Sequence, residues 1–415
     1  MKKVTVMLIG LTFLLYQLAG CGAASGKGGA DTLTMVKSFD QRQEWDGEIL
    51  LAVSEYSGAL LSDEAAAAYP ALAEALAQTH AMASRSMEDE FDSLLATAKD
   101  ELALLGADSF ITKSSILDVQ IRRADSVALS VLSDSSLVYG RINDRYLNGT
   151  TYDTATGEPL RITDVIRDMS KIPAIVKEEL ISHTWAGDFL SDTAVADYFR
   201  DTPEDGIRWT LDYNGVTFYF ADGEIAEIGR RGHLAAMVSF AEHPELFNEK
   251  YSAVPGAYMV ELPLAKPFYA DLDGDGRSEE LNVSPVSDAD GLYWEAVEIF
   301  TDADAQYFRT ELQANANCLT GGYHPYYIKT AEGKHYLYLF AESSELAAGD
   351  MLLRVIDITG GRFREVGDLA AAPGYIPVDC AWALTDPENM MLENFERMEE
   401  ARPYRIGDDG LPRRK

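Results

Sequence analysis

Two alternating runs, Trp209-Thr210-Leu211-Asp212-Tyr213 and Val216-Thr217-Phe218-Tyr219-Phe220, flank the dipeptide Asn214-Gly215. Asn-Gly matches the twist of paired strands, so the stretch predicts an antiparallel hairpin with Asn214-Gly215 at its turn. Upstream, Leu72, Leu76, Thr79, Ala83, Met87, Phe91, Leu94, Ala98, Leu102 and Leu105 recur at three- and four-residue steps. That spacing paints one apolar stripe and predicts a long helical region over 63–105, capped by Ser62-Asp63, with Pro70 near a helix start. Further strands are expected at 45–56, 116–122, 126–133, 141–151, 159–162 and 234–240, and helical segments at 163–181 and 192–199. Between them Asp153-Thr154-Ala155-Thr156-Gly157 reads as a tight turn.

A chain of 415 residues with 47% hydrophobic content can bury a full core and is longer than one average domain needs. Pro255-Gly256 marks the expected division. Beyond it, strand patterns follow at short intervals, over 281–286, 294–300, 326–329, 335–341, 351–358 and 363–366, which suggests a sandwich, a barrel or propeller-like sheets. The expected fold is thus an α+β N-terminal module, an antiparallel sheet with a long helix, followed by a mostly antiparallel β module. The organisation reads as a signal peptide over 1–20, a tether over 21–31, the α+β module over 32–254 and the β-rich module over 255–415.

The first twenty residues carry their own signature. Lys2-Lys3 precedes an apolar run over 4–16 that is too short to span a bilayer comfortably, and Leu18-Ala19-Gly20-Cys21 follows. This resembles a bacterial lipoprotein signal, which implies that Cys21 takes a diacylglyceryl thioether and becomes the new N-terminus. The alternative is an ordinary secretory signal. On the lipoprotein reading the protein works outside the cytoplasm, bound to the cell membrane through its lipid anchor. Cys318 and Cys380 then sit in an oxidising compartment where they could form a disulfide.

The sequence holds 68 acidic and 35 basic residues, a net charge of −33 that becomes −35 once Lys2 and Lys3 leave with the signal. A field of that sign opposes nucleic acid and anionic headgroups and favours cations or a basic partner. Solubility alone would also explain many of these charges.

From about residue 116 to residue 251 the order of patterns, with YDTATGEPLRITDVI, a helix, then WTLDYNGVTFYFADGEIAEIG, resembles the extracytoplasmic domain of the lysozyme-sensing anti-sigma factors. The same module precedes the catalytic domain of some peptidoglycan deacetylases, and the stretch over 45–105 resembles the companion segment found there. The chain departs from the family at Val138-Tyr139-Gly140-Arg141, where relatives often carry Gly-Gly-Ala-His, so no role of that histidine carries over. The resemblance covers roughly half the chain and implies a binding or scaffold module without its relatives' output domains.

Asp271-Leu272-Asp273-Gly274-Asp275-Gly276-Arg277-Ser278-Glu279 is the sharpest chemical motif. Carboxylates at alternating positions converge only if the chain curls tightly, and Gly276 stands where a cramped loop needs it. Asp271, Asp273, Asp275 and Glu279, with the carbonyl of Arg277, would approach the oxygen count of a structural Ca²⁺ site. Asn282 stands where a helix-loop-helix site places its bidentate Glu, and a strand pattern follows, so the loop resembles those of integrin-type repeats. A solvated acidic turn is the alternative.

Catalytic signatures are scarce. The histidines (80, 183, 233, 243, 324 and 335) form no His-Glu-x-x-His, no Gly-x-Ser-x-Gly occurs, and Cys318 with His324 is too little for a nucleophile and base. Tyr323, Tyr326, Tyr327, Tyr336 and Tyr338, with Trp294, are read as buried strand faces, with an exposed platform for sugar or protein as the alternative. The expected function is non-enzymatic binding or sensing of an envelope ligand, a basic protein such as lysozyme or a cell-wall glycan. Two alternatives stand beside it, a glycan hydrolase using paired carboxylates and a structural surface lipoprotein.

Overall fold

The computed structural model describes residues 30–139, 142–183, 190–221, 223–226, 234–288, 293–315, 322–342, 351–376, 380–394 and 399–415. The chain is mostly β, in several largely antiparallel sheets with a few helices. Strands β1 (Met35–Asp46) and β2 (Ile49–Leu61) form a hairpin that turns at Gly47, φ 62°. The expected single strand over 45–56 therefore straddles a turn. Beyond Ser38, β1 is largely exposed and polar, so it lacks the apolar alternation by which a strand is recognised.

Two helices follow, α1 (Asp63–Ala68) and α2 (Pro70–Leu105). The Ser62 hydroxyl accepts the Ala65 N–H and caps α1, and Pro70 opens α2, where its missing N–H costs nothing. Leu72, Leu76, Met87, Phe91, Leu94 and Ala98 are the buried stripe of α2. Next come β3 (Lys113–Ala124), β4 (Ala128–Tyr139) and β5 (Ile142–Asp153), antiparallel to one another. β2 and β3 run parallel, and a parallel pair needs a long crossover, which α2 supplies while covering the sheet.

After β5 the expected tight turn forms: the Asp153 carboxylate accepts the N–H groups of Ala155 and Thr156, and Gly157 takes φ 69°. The expected strand over 159–162 is reduced to one bridge, Tyr152 to Pro159, because α3 (Ile162–Val165) begins at once. Helices α4 (Ile172–His183) and α5 (Ala194–Asp201) pack with α3 on a three-stranded sheet of β6 (Trp209–Leu211), β7 (Gly215–Phe220) and β8 (Leu234–Ser239).

The hairpin is present, but its reversal lies one residue earlier than expected. Leu211 pairs with Val216 and the Asp212 N–H donates to the Gly215 carbonyl, so Tyr213-Asn214 make the turn. The observed register differs by two residues on one strand, which keeps every side chain on its face, so alternation cannot distinguish the two registers.

Beyond α6 (Glu249–Ser252) come β9 (Tyr258–Glu261), then β10 (Pro267–Ala270), β11 (Glu279–Ser287), β12 (Tyr293–Thr301) and β13 (Gln306–Asn315), the last four forming one sheet. β14 (Tyr323–Lys329), β15 (His335–Glu342), β16 (Met351–Asp357) and β17 (Arg364–Pro373) join β9 in a second sheet. β18 (Cys380–Ala383) leaves this unit and pairs with β1, after which β19 (Met390–Asn394), β20 (Glu399–Ile406) and β21 (Pro412–Arg414) return to complete an eight-stranded sheet. Tyr327, Leu337 and Leu339 on one face of that sheet pack against Phe268, Leu281, Val283 and Val297 of the four-stranded sheet. On the other face Tyr326, Tyr338 and Phe340 meet Leu392, Tyr404 and Ile406.

Buried ion pairs tie the layers together. Arg122 on β3 donates to both carboxylate oxygens of Asp212, at 3.2 Å each, and Thr210 and Thr217 donate to the same carboxylate. Arg123 donates to Asp125 and to the carbonyls of Tyr251 and Ala253, fixing the segment that leads into β9. Lys37 on β1 reaches Asp118 on β3 and Glu261 on β9, both at 3.0 Å.

Candidate functional site

The acidic motif is the connection between β10 and β11. Pairing of Ala270 with Glu279 closes it into a short loop, and the buried side chain of Leu272 pins it to the core. The Leu272 carbonyl accepts the Gly360 N–H, which ties the loop to the turn after β16. Inside, Asp271 accepts from the Gly274 N–H at 2.7 Å and the Gly276 N–H at 3.2 Å. Asp273 accepts from Asp275 N–H and Asp275 from Arg277 N–H, so each carboxylate bends the backbone that follows it. Gly274 and Gly276 take φ 80° and 90°, a region where side chains are strained.

The result is convergence. Oxygens of Asp271, Asp273 and Asp275 all lie within 4.8 Å of one another, with Asp273 and Asp275 exposed to solvent. Glu279 accepts the Leu272 N–H at 2.7 Å from the base of the loop. Burial pushes its carboxyl up to about 7; the Leu272 hydrogen bond opposes this, and the charges of Asp273, Asp271 and Asp275 add to it. Three carboxylates held this close favour a bound cation, with Glu279 outside the converging set at the base of the loop, and hard oxygen donors are the set that Ca²⁺ takes. Arg277 is exposed, with its guanidinium 3.7 Å from Glu242. Its side chain therefore points to a neighbour while its carbonyl remains the group assigned to the loop.

Several of the other expected site residues lie outside the described residues, and the pairing of Cys318 with Cys380 with them. Cys21, Cys318 and His233 lie outside the described residues, as do 1–20 and most of the tether. Cys380 starts β18, partly buried. His335 is buried on β15, its Nδ1 2.6 Å from the Tyr327 hydroxyl, and burial, helped by the charge of Lys329, depresses its pKa to about 4. Tyr323, Tyr326, Tyr327, Tyr336 and Tyr338 are all core residues, and Trp294 stacks on Tyr323 at 5.2 Å. The aromatics thus line both faces of the eight-stranded sheet rather than a platform. The carboxylates of the buried ion pairs carried no local signal, because Lys37 and Glu261 are 224 residues apart in the chain.

No family model and no curated protein matches the chain. Among solved structures, a DUF3298 family member from Bacteroides fragilis aligns over 52% of this chain and 95% of its own, at 13% identity and a TM-score of 0.36. A DUF3298 family protein from Pseudomonas aeruginosa aligns over 54% and 99%, at 14% identity and a TM-score of 0.36.

Proposed function

We propose that the protein is a lipid-anchored extracytoplasmic lipoprotein that binds or senses a ligand at the cell envelope, a basic protein such as lysozyme or a cell-wall glycan. The observation that carries this reading is where the charge sits. Among the described residues the five buried cations, Lys37, Lys113, Arg122, Arg123 and Lys266, face seven buried carboxylates, Glu55, Asp125, Asp134, Asp153, Asp212, Glu261 and Glu280, so burial takes up only a small part of the negative excess. The excess behind the −33 is therefore a property of the surface, which attracts a basic partner and repels nucleic acid. Calcium at Asp271, Asp273, Asp275 and Glu279 has a structural role in this reading, clamping the β10–β11 loop.

Titrating the full chain with hen lysozyme at rising salt tests it: affinity should fall steeply as exposed charges are screened. Micromolar or tighter binding that ignores ionic strength counts against the charge argument. Glu279, protonated up to near neutral pH beside three aspartates, is where a glycan hydrolase would place its acid. Release of soluble fragments from wall glycan, lost in Glu279→Gln, would favour that second reading.

A further inference from the structure

An exposed aromatic pair lies on the outer face of the four-stranded sheet, over the β12–β13 hairpin. Val297 and Ile299 of β12 and Leu312 of β13 turn inward to the core, which sends Glu298 and Phe300, with Tyr307, Arg309 and Glu311, to the opposite face. The solvated face of such a sheet is normally polar. Here Phe300 lies directly across from Tyr307 in the register, and the two are 38% and 58% exposed. Their rings make an apolar island near the turn of the hairpin. β13 is the outermost strand of its sheet, so among the described residues the island is open on that side.

Negative charge surrounds it. Arg309 reaches Glu295 at 3.1 Å, Glu298 at 3.4 Å and Glu311 at 3.0 Å, and the Tyr307 hydroxyl donates to Glu298. One guanidinium thus meets three carboxylates, each with a side chain at least 36% exposed. The turn adds Asp302 and Asp304, so the hairpin over 293–315 carries five acidic residues and one basic. That excess is not balanced within the hairpin, and a field of this sign draws in a surface that carries cations. An aromatic centre inside a charged rim is the anatomy of a protein interface, and a cationic side chain gains from both the carboxylates and the ring faces. A neutral saccharide would use the rings and leave the charge unanswered.

We propose that the outer face of the β12–β13 hairpin is the docking surface for a basic protein, with Phe300 and Tyr307 as its apolar centre and Glu295, Glu298 and Glu311 pairing with lysine or arginine side chains of the partner. The inference rests on the reading of a basic ligand, and it places that ligand on the β-rich module, outside the stretch that resembles the anti-sigma ectodomains.

The test titrates the full chain with two basic proteins, hen lysozyme and cytochrome c, by calorimetry at low and physiological salt. Phe300→Ser combined with Tyr307→Ser should weaken binding roughly tenfold, and Glu298→Lys combined with Glu311→Lys should weaken it at least as much. Arg309→Gln removes the hairpin's one cation and should tighten binding several-fold at low salt, a gain that misfolding cannot imitate. Tyr146→Ser, at a comparably exposed tyrosine on β5, should change nothing. Lysozyme binding that all three face variants leave unaltered overturns the proposal and leaves the wider reading standing. Cytochrome c binding with the expected variant pattern, while lysozyme does not bind, supports the face and removes lysozyme as its partner. Binding of neither protein overturns the proposal, and sedimentation with wall glycan that is lost in the aromatic variant would then assign the face to a saccharide.

Discussion

Lys37 shows why single residues matter in this fold. Burial alone would lower the pKa of its ammonium, yet Asp118 and Glu261 together raise it above the ordinary lysine range, and Lys37 in turn helps hold the Asp118 carboxyl near 2. Removing one partner from such a cluster leaves an uncompensated buried charge. For the comparable Arg122–Asp212 pair, Asp212→Ala should cost about 3 to 5 kcal/mol in chemical unfolding, whereas a paired Arg122→Met, Asp212→Leu variant should recover much of that loss. An additive double variant would show that the pair is not coupled. His335 gives a pH dependence of determinate sign. Its folded pKa of about 4 lies below the ordinary 6.5, so the unfolded chain binds more protons between those values. Stability should therefore fall by up to about 3 kcal/mol as pH drops from 6.5 to 4. His335→Gln should flatten that part of the curve; identical slopes in both proteins would remove the imidazole from the account. At the acidic loop, calcium should raise the unfolding midpoint of the wild type by the equivalent of about 2.7 kcal/mol at a hundredfold excess over Kd, and Asp271→Asn should abolish the rise. A midpoint that calcium leaves unmoved in the wild type would reduce the loop to a solvated turn.

At the scale of elements, three glycines hold strands at distances no other residue permits. A Cβ on Gly149 of β5 would lie 1.7 Å from the Trp209 carbonyl oxygen, and one on Gly215 of β7 would lie 2.3 Å from that of Val238. At Gly157 a Cβ would meet the Ala71 carbonyl at 2.5 Å, so the turn after β5 is pressed against the start of α2. Gly47, at the tip of the β1–β2 hairpin, has φ 62° but open space around it. Alanine should therefore cost about 1 kcal/mol at Gly47, from backbone strain alone, and clearly more at Gly149 and Gly215, where backbone must move. Equal losses at all four positions would mean that close approach is not what these strands require. Gly215 also shows how much of the fold was legible beforehand. Its dipeptide marked the hairpin, yet its own function is to let β7 approach β8, a contact between strands that no local pattern encodes. The buried stripe of α2, its Pro70 start and the Ser62 cap were legible because they obey helical spacing. The polar outer half of β1 was not, since nothing covers it, and β18 was missed because a four-residue strand has no period to read. In the acidic loop the side chains that converge stand at alternating positions, so local spacing was enough to bring them together. The Lys37, Asp118 and Glu261 cluster draws on three distant strands and is visible only in the folded chain.

The whole molecule is laced across its middle. β18, from residues 380–383, is the edge strand beside β1, and the Thr385 hydroxyl donates to the Leu33 carbonyl at 2.6 Å while its own carbonyl accepts the Met259 N–H. Glu261 supplies half of the charge that keeps Lys37 buried, and Arg123 clamps the carbonyls of Tyr251 and Ala253 just before the chain enters β9. A fragment ending at residue 254 would keep α2 on its sheet and the hairpin under its helices. It would also expose the outer edge of β1, leave Lys37 with Asp118 alone, and remove Ala383 and Trp382, the strand partners of Met35 and Val36. These changes free backbone donors, remove a charge partner from Lys37 and uncover apolar area, and none can be offset within the fragment. Such a fragment should melt well below the full chain, bind a hydrophobic dye, and exchange the β1 amides quickly while those of β4 stay protected. If it instead melts at the temperature of the intact protein with β1 equally protected, the strand exchanged between the halves contributes nothing, and the two halves are independent bodies that happen to touch.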